Sequence, residues 1–265
     1  MTNFSSKIVL ITGGASGIGK IMGREILQKG GKLVIWDINK LSLQQTLKEF
    51  EVIGEAYGYT LDITNTNWVR EIAEQVELEI GAVDILINNA GIVFGNYFHE
   101  NSSESIEKVM KVNAIAPMQL ALIFLPGMIK RKQGHICNIT SSAGLVSNPK
   151  LAVYAASKWA ATGWSDSLRL EMKQLKTGVG ITTVTPYYIN TGMFDGVKST
   201  IPILDQDKVA KKVIKAIERN RIYLSMPWSI RFVRFFQGLF PIWFYDWFVG
   251  KVIGVYKTMD EFKAR

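Results

Sequence analysis

Through the first 190 residues, short apolar runs alternate with stretches of helical period. The runs occupy residues 7–12, 33–36, 56–60, 84–87, 135–140 and 180–185, and the helical stretches between them are 17–28, 41–50, 68–79, 102–130 and 152–175. Strands that are nearly continuously apolar are buried on both faces, which demands a parallel sheet covered by helices on each side. The expected fold is α/β: a doubly wound, Rossmann-type parallel sheet in a single domain, with ligands bound beyond the carboxyl ends of its strands. No internal repeat or low-complexity linker interrupts the pattern.

The turn after the first strand reads Thr12-Gly13-Gly14-Ala15-Ser16-Gly17-Ile18-Gly19 and leads into a helix. Gly13 permits the tight turn, Gly17 lets backbone approach a pyrophosphate, and Gly19 allows helix and strand to pack closely. The helix start adds free N–H groups and partial positive charge for the phosphates. Asp37, at the end of the second strand, can accept both ribose hydroxyls of NAD and repels the extra phosphate of NADP. Ile38 and Asn39 beside it, and Ser16 in the loop, supply no basic residue for that phosphate, so NAD is expected over NADP.

The glycine spacing, together with Asn88-Asn89-Ala90-Gly91 and Tyr154-Ala155-Ala156-Ser157-Lys158, resembles the short-chain dehydrogenase/reductase family over about residues 5–225. The resemblance implies that Gly13, Ser16, Gly17, Ile18 and Gly19 hold the phosphates. It places Asp62 and Ile63 at the adenine, Asn89 and Gly91 along the adenosine and ribose, and Ile189 and Thr191 at the carboxamide. The family usually has Pro-Gly where this chain has Pro186-Tyr187, so a β-carbon stands in place of a permissive glycine.

Tyr154 and Lys158 are one helical turn apart and project from one face. A phenol with a reference pKa of about 10 is a poor base near neutrality. A neighbouring ammonium and an oxidised nicotinamide both favour the phenolate and lower that pKa. In this reading Tyr154 is the acid/base, and Lys158 is its electrostatic support and a partner for the nicotinamide ribose. Ser141, thirteen residues before Tyr154, holds the substrate oxygen, with Ser142 as the minor candidate. By resemblance, Asn113 in the long central helix binds a water that relays protons to the lysine. His99 and His135 have no partner motif and are read as structural or surface residues; no metal-ligand spacing occurs.

Beyond Thr191 the pattern changes. Residues 205–219 form an amphipathic helix, 222–224 could be a last strand, and 227–256 are dense in aromatics. The expected organisation is a dehydrogenase unit over 1–225, with a substrate lid at about 191–220, and an aromatic, basic, helical extension over 226–265. Met193, Phe194, Ile201, Ile203 and Leu204 make the lid apolar, and Val93, Phe94, Leu145 and Val146 add to a greasy pocket. The segments 190–194 and 259–263 resemble the retinol dehydrogenase and hydroxysteroid dehydrogenase branch. A lipophilic alcohol or ketone is the expected substrate. A reductase of small polar carbonyl compounds, or a silent NAD-binding regulator, are the competing readings.

The net charge is +8, and from Arg221 onward seven Lys/Arg stand against three Asp/Glu. No nucleic-acid motif accompanies this charge, so no nucleic-acid partner is expected. The tail could lie on an anionic membrane surface or bury itself in a dimer interface. The single cysteine, Cys137, reads as a small buried hydrophobe and fits a reducing compartment. With no secretory signal at the start and no stretch apolar enough to span a bilayer, the expected location is cytoplasmic, peripheral on a membrane if the tail binds one. The family usually forms dimers or tetramers through its long central helices, so a homo-oligomer is expected.

Overall fold

A computed structural model describes residues 2–262. Side chains along each strand alternate between two apolar layers, as period-two geometry requires. In β1 (Ile8–Thr12), Val9 and Ile11 join Leu33 and Ile35 of β2 (Lys32–Asp37) on one face, whereas Leu10 joins Val34 and Trp36 on the other. The remaining strands are β3 (Ala56–Thr60), β4 (Ile85–Asn88), β5 (Gly134–Ile139), β6 (Val179–Pro186) and β7 (Tyr223–Met226). All pair in parallel, in the order β3-β2-β1-β4-β5-β6-β7. The last strand, expected over 222–224, lies beside β6.

The first face is covered by α1 (Gly17–Gln28), α2 (Lys40–Phe50) and α7 (Gln206–Glu218), through Met22, Ile26, Leu43, Val213 and Ile217. The second is covered by α3 (Thr66–Glu79), α5 (Ala116–Lys130) and α6 (Ala152–Gln174), through Val76, Leu120, Phe124, Leu168 and Met172. Full burial of each such side chain contributes about 1.5–3 kcal/mol, so these two layers dominate the driving force. Because β1 lies between β2 and β4, the winding reverses there, and a crevice opens between their carboxyl ends.

The helix expected over 102–130 runs unbroken over Ser103–Lys130 but contains a π-turn. It comprises α4 (Ser103–Met110), a π-turn at Lys111–Ile115, and α5, with Ala116 N–H bonded to Lys111 O five residues back. Pro117, which has no N–H to donate, stands in the first turn of α5. By length and composition Ser103–Lys130 could also cross a membrane, with an 18-residue window of mean hydropathy 1.7, contrary to the expectation that no stretch qualifies. Half of that window is buried in the fold, with Leu120, Phe124 and Met128 in the layer beneath the sheet.

After β7 the chain turns through Trp228–Phe232 into α8 (Val233–Leu239) and α9 (Ile242–Trp247), which Pro241 separates. A π-turn at Phe248–Val252 and a short turn at Val255–Lys257 follow. Ile230, Val249, Val255 and Met259 are buried, so this segment packs on the body. Lys263, part of one motif noted in the sequence, lies outside the described residues.

Candidate active site

The glycine loop is built as its mechanism requires. Gly13 (φ 63°) and Gly17 (φ 51°) occupy left-handed backbone that a side chain would strain. Ser16, at the N-cap of α1, makes no side-chain bond to the helix, so the first-turn N–H groups carry no internal cap. A β-carbon on Gly19 would stand 2.2 Å from Gly13 O and 2.6 Å from Asn89 Nδ2. That amide donates to Thr12 O and Gly13 O at 3.0 and 2.9 Å, while Thr12 Oγ1 accepts from Asn89 N and Ala90 N. Asn89 therefore braces the loop from below.

Asp37 is buried and held at both oxygens: Ala15 N donates to Oδ2 at 3.0 Å and Asn39 N to Oδ1 at 2.9 Å. Asp62 Oδ1 accepts from Thr64 N and Thr64 Oγ1. A groove of about 610 Å³ runs from this acidic end, past Gly13–Ile18, Asn89 and Gly91, to Ile189, Thr191, Ser141, Tyr154 and Lys158. Every residue expected to bind the dinucleotide lines it except Gly19, which lies beneath as a packing glycine. The open helix start at one stretch and the fixed Asp37 carboxylate at another fit a dinucleotide laid along the groove. Trp36, Leu61, Ile92 and Phe262 also line it and carried no signal in the sequence.

At the far end of the groove, Tyr154 and Lys158 lie in the first two turns of α6, both buried. Lys158 Nζ is 5.7 Å from the Tyr154 ring centroid and donates to Ile139 O at 3.0 Å. Burial pushes the Tyr154 phenol up to about 12, a hydrogen bond from Ser141 working against it and Tyr188 adding to the rise. Burial likewise lowers Lys158 to about 8. The acidified phenol expected from the sequence is thus not a property of the chain by itself. Dehydration disfavours charge on both groups and is the largest cause of each shift.

Ser141 Oγ accepts from Ala143 N at 3.1 Å, which leaves its own hydrogen free to donate toward Tyr154. Asn113 uses both amide hydrogens, on Ile92 O (2.9 Å) and Ser157 Oγ (3.0 Å), and accepts from Ile92 N at 2.9 Å. Its side chain does not line the groove and clamps the loop after β4 to α6. His135 is buried against Thr182 Oγ1, with its pKa lowered by burial to about 4, and Cys137 is buried, its thiol pushed up. His99 stacks on Tyr97 at the exposed surface. Tyr187 avoids left-handed backbone; its N–H bonds Met226 O and its hydroxyl meets Ser199 Oγ, so the turn accommodates the β-carbon.

A second chamber, of about 450 Å³ and almost wholly apolar, meets the groove at Ser141, Tyr154, Tyr187 and Phe194. Val146, Phe194 and Ile201 line it as the lid reading implied, and so does Ser142, while Val93, Phe94 and Met193 face the groove. Leu145 and Leu204 are instead packed into the core, and Ile203 is exposed. The unexpected wall comes from the aromatic segment: Val233, Phe236, Phe240, Phe244 and Phe248. Their spacing of three, four, four and four residues is a helical stripe, a signal present in the sequence but masked by Pro241.

Residues 7–202 match the short chain dehydrogenase family, and the chain belongs to it. Epidermal retinol dehydrogenase 2 of Homo sapiens is 38% identical over 267 residues, covering 98% of this chain and 86% of that protein. Estradiol 17-beta-dehydrogenase 11 of Homo sapiens is 35% identical over 240 residues, covering 89% of this chain and 80% of that protein. Among solved structures, a short chain dehydrogenase/reductase from Burkholderia phymatum in complex with NAD is similar at a TM-score of 0.81 and 26% identity, covering 88% of this chain and 94% of that one. The protein is thus an oxidoreductase acting on CH–OH groups with a nicotinamide cofactor.

Proposed function

We propose that this enzyme interconverts a lipophilic alcohol, of retinoid, steroid or long-chain type, and its carbonyl compound, with NAD rather than NADP. The observation that carries the reading is the apolar chamber against Tyr154 and Ser141, where a small polar carbonyl compound would find few partners. The names of the relatives, retinol and estradiol dehydrogenases, support the same substrate class. Asp37, fixed for ribose hydroxyls with no basic neighbour in the loop, supports NAD.

The dinucleotide, held by Gly13, Ser16, Gly17, Ile18, Asp37, Asp62, Ile63, Asn89, Gly91, Ile189 and Thr191, supplies the hydride acceptor and, when oxidised, a positive charge. In alcohol oxidation, Tyr154 takes the hydroxyl proton as the carbon loses hydride. Ser141 donates to the same substrate oxygen, and Lys158 supports the phenolate beside the ribose site. Asn113 is assigned the positioning of the Ile92 loop and Ser157. Any water relay at the π-turn would use backbone there, because both amide hydrogens are engaged.

We further propose that residues 1–225 form the catalytic unit, that 226–265 shape the substrate chamber, and that the outer face of this segment rests on a membrane. Trp228, Phe235, Leu239, Ile242 and Trp243 are exposed there beside exposed Arg231, Arg234, Lys251 and Lys257. Self-association through α5 and α6, whose outer faces show Leu122, Trp159 and Leu170, completes the reading. An NAD-reduction screen with retinol, estradiol and long-chain alcohols against sugars and small ketones, detergent present, tests the activity. Turnover confined to the polar compounds would replace it with the competing reductase.

A further inference from the structure

Three phenylalanines of the aromatic segment line the substrate chamber and are also exposed. Phe236, Phe240 and Phe248 line the chamber that reaches Tyr154, and they are 45%, 36% and 43% exposed, so the chamber is open to solvent along these rings. The three rings therefore stand at the edge of the chamber. Phe236 and Phe240 lie nearly parallel there, at 9° and 6.1 Å between centroids, and Phe240 contacts Phe244 at 4.9 Å.

The outer surround of these three rings is apolar. Trp243 is 73% exposed and Ile242 78%, and Phe235, Leu239 and Trp247 continue the face. Exposed apolar surface of this extent is costly in water and marks a contact. The charged residues of 227–257 are mostly basic: Arg231, Arg234, Lys251 and Lys257 are exposed, against Asp246, which accepts from Tyr256. A segment that exposes both aromatic rings and Lys or Arg fits an anionic lipid surface, the rings in the acyl boundary and the cations at the headgroups.

We infer that the chamber exchanges its substrate directly with a lipid leaflet, through a port in the aromatic face framed by Phe236, Phe240 and Phe248. The inference rests on the membrane reading above and adds a route: the alcohol moves from lipid to Tyr154 without crossing water. Rotation of one ring widens this opening, because no hydrogen bond holds a phenyl group in place. The helix that carries Phe236 and ends just before Phe240 is tied to the catalytic loop by Gln237 Nε2, which donates to Leu145 O at 3.1 Å. The port can thus widen while α8 stays docked beside the loop that follows Ser141.

The test uses the full chain with vesicles of phosphatidylcholine and phosphatidylserine carrying the lipophilic alcohol that gives the best turnover in the screen. Rates are expected to follow the mole fraction of alcohol in the lipid, and to stay constant when lipid and alcohol are diluted together with all enzyme bound. Phe240→Ala should raise and Phe240→Trp should lower kcat/KM for the vesicle-borne alcohol, each by roughly threefold or more, with vesicle sedimentation unchanged. Trp243→Glu, outside the chamber, should weaken sedimentation and leave detergent-phase kcat as in the parent. Should Phe240→Ala not fold, F240C labelled with bimane serves instead, since Cys137 is buried and its thiol pushed up. Brominated lipids are expected to quench that label. Sedimentation with rates set by the bulk aqueous alcohol, or with no effect of either Phe240 variant and no quenching, overturns the port alone. Failure of the parent protein to sediment overturns the membrane reading and the port with it.

Discussion

The dinucleotide groove and the substrate chamber share one tyrosine but are held together by different forces. In the groove, Asp37, Asn89 and Asp62 are each fixed by two or more hydrogen bonds. In the chamber wall, Val233, Phe236, Phe240 and Phe244 make ring and methyl contacts. Hydrogen bonds fix direction, whereas apolar contacts fix volume. The contrast assigns chemistry and cofactor choice to the first region, where angles matter. Substrate choice falls to the second, where only size and greasiness are read.

The largest expected effect sharpens this division. Tyr154→Phe should remove about 10²–10⁴-fold of turnover for every substrate, as loss of a general acid/base does, with NADH affinity by fluorescence titration nearly intact. Ser141→Ala should cost about 10²-fold in kcat, as removal of an oxyanion donor does. It carries a pH signature too. The Ser141 hydrogen bond lowers the Tyr154 pKa, so its loss raises that pKa, and the rise of alcohol oxidation with pH, where Tyr154 loses its proton, should move to higher pH. Asp37→Arg should weaken NAD use about 10–100-fold, as loss of charge-assisted hydrogen bonds does, and improve NADP use in kcat/KM ratios.

Smaller effects are expected on the apolar side. Phe244→Ala should shift KM among alcohols of different bulk by roughly tenfold while leaving kcat for the best of them close to parental. An equal loss of kcat for all alcohols would break the division, because the wall would then be positioning the reacting oxygen. The smallest effect is on stability. Lys158 is lowered to about 8 by burial, from an ordinary 10.5, so between those values the unfolded chain binds a proton that the folded chain does not. The stability cost is present in full below about pH 8 and fades as pH rises to 10.5. Lys158→Met should therefore raise Tm at neutral pH, by about 2–4 °C per kcal/mol, in a scan where the gain disappears in alkali.

The winding of the sheet was legible because Val9, Leu10 and Ile11, and their equivalents in the neighbouring strands, are apolar on both faces, a pattern with few structural solutions. The groove was legible because Gly13, Gly17 and Gly19 and the Tyr154–Lys158 pair lie close along the chain, where geometry follows directly from spacing. Two features escaped. The π-turn around Asn113 depends on how Ile92 and Ser157 meet its amide, and both lie far from it in the chain. The chamber wall escaped because Pro241 breaks the helix that would have displayed its stripe, leaving two short helices whose faces are set by the body beneath.

The shared boundary of groove and chamber, at Ser141, Tyr154, Tyr187 and Phe194, has a kinetic consequence. Tyr154 stands at an interface between a watery slot and an oily one, so proton traffic and carbon traffic part company at its ring. A dinucleotide that leaves by one side does not wait for a product that leaves by the other. Product-inhibition patterns should then take the form of a random rather than a compulsory order, and a bulky competitor in the oily slot should leave dinucleotide exchange fast.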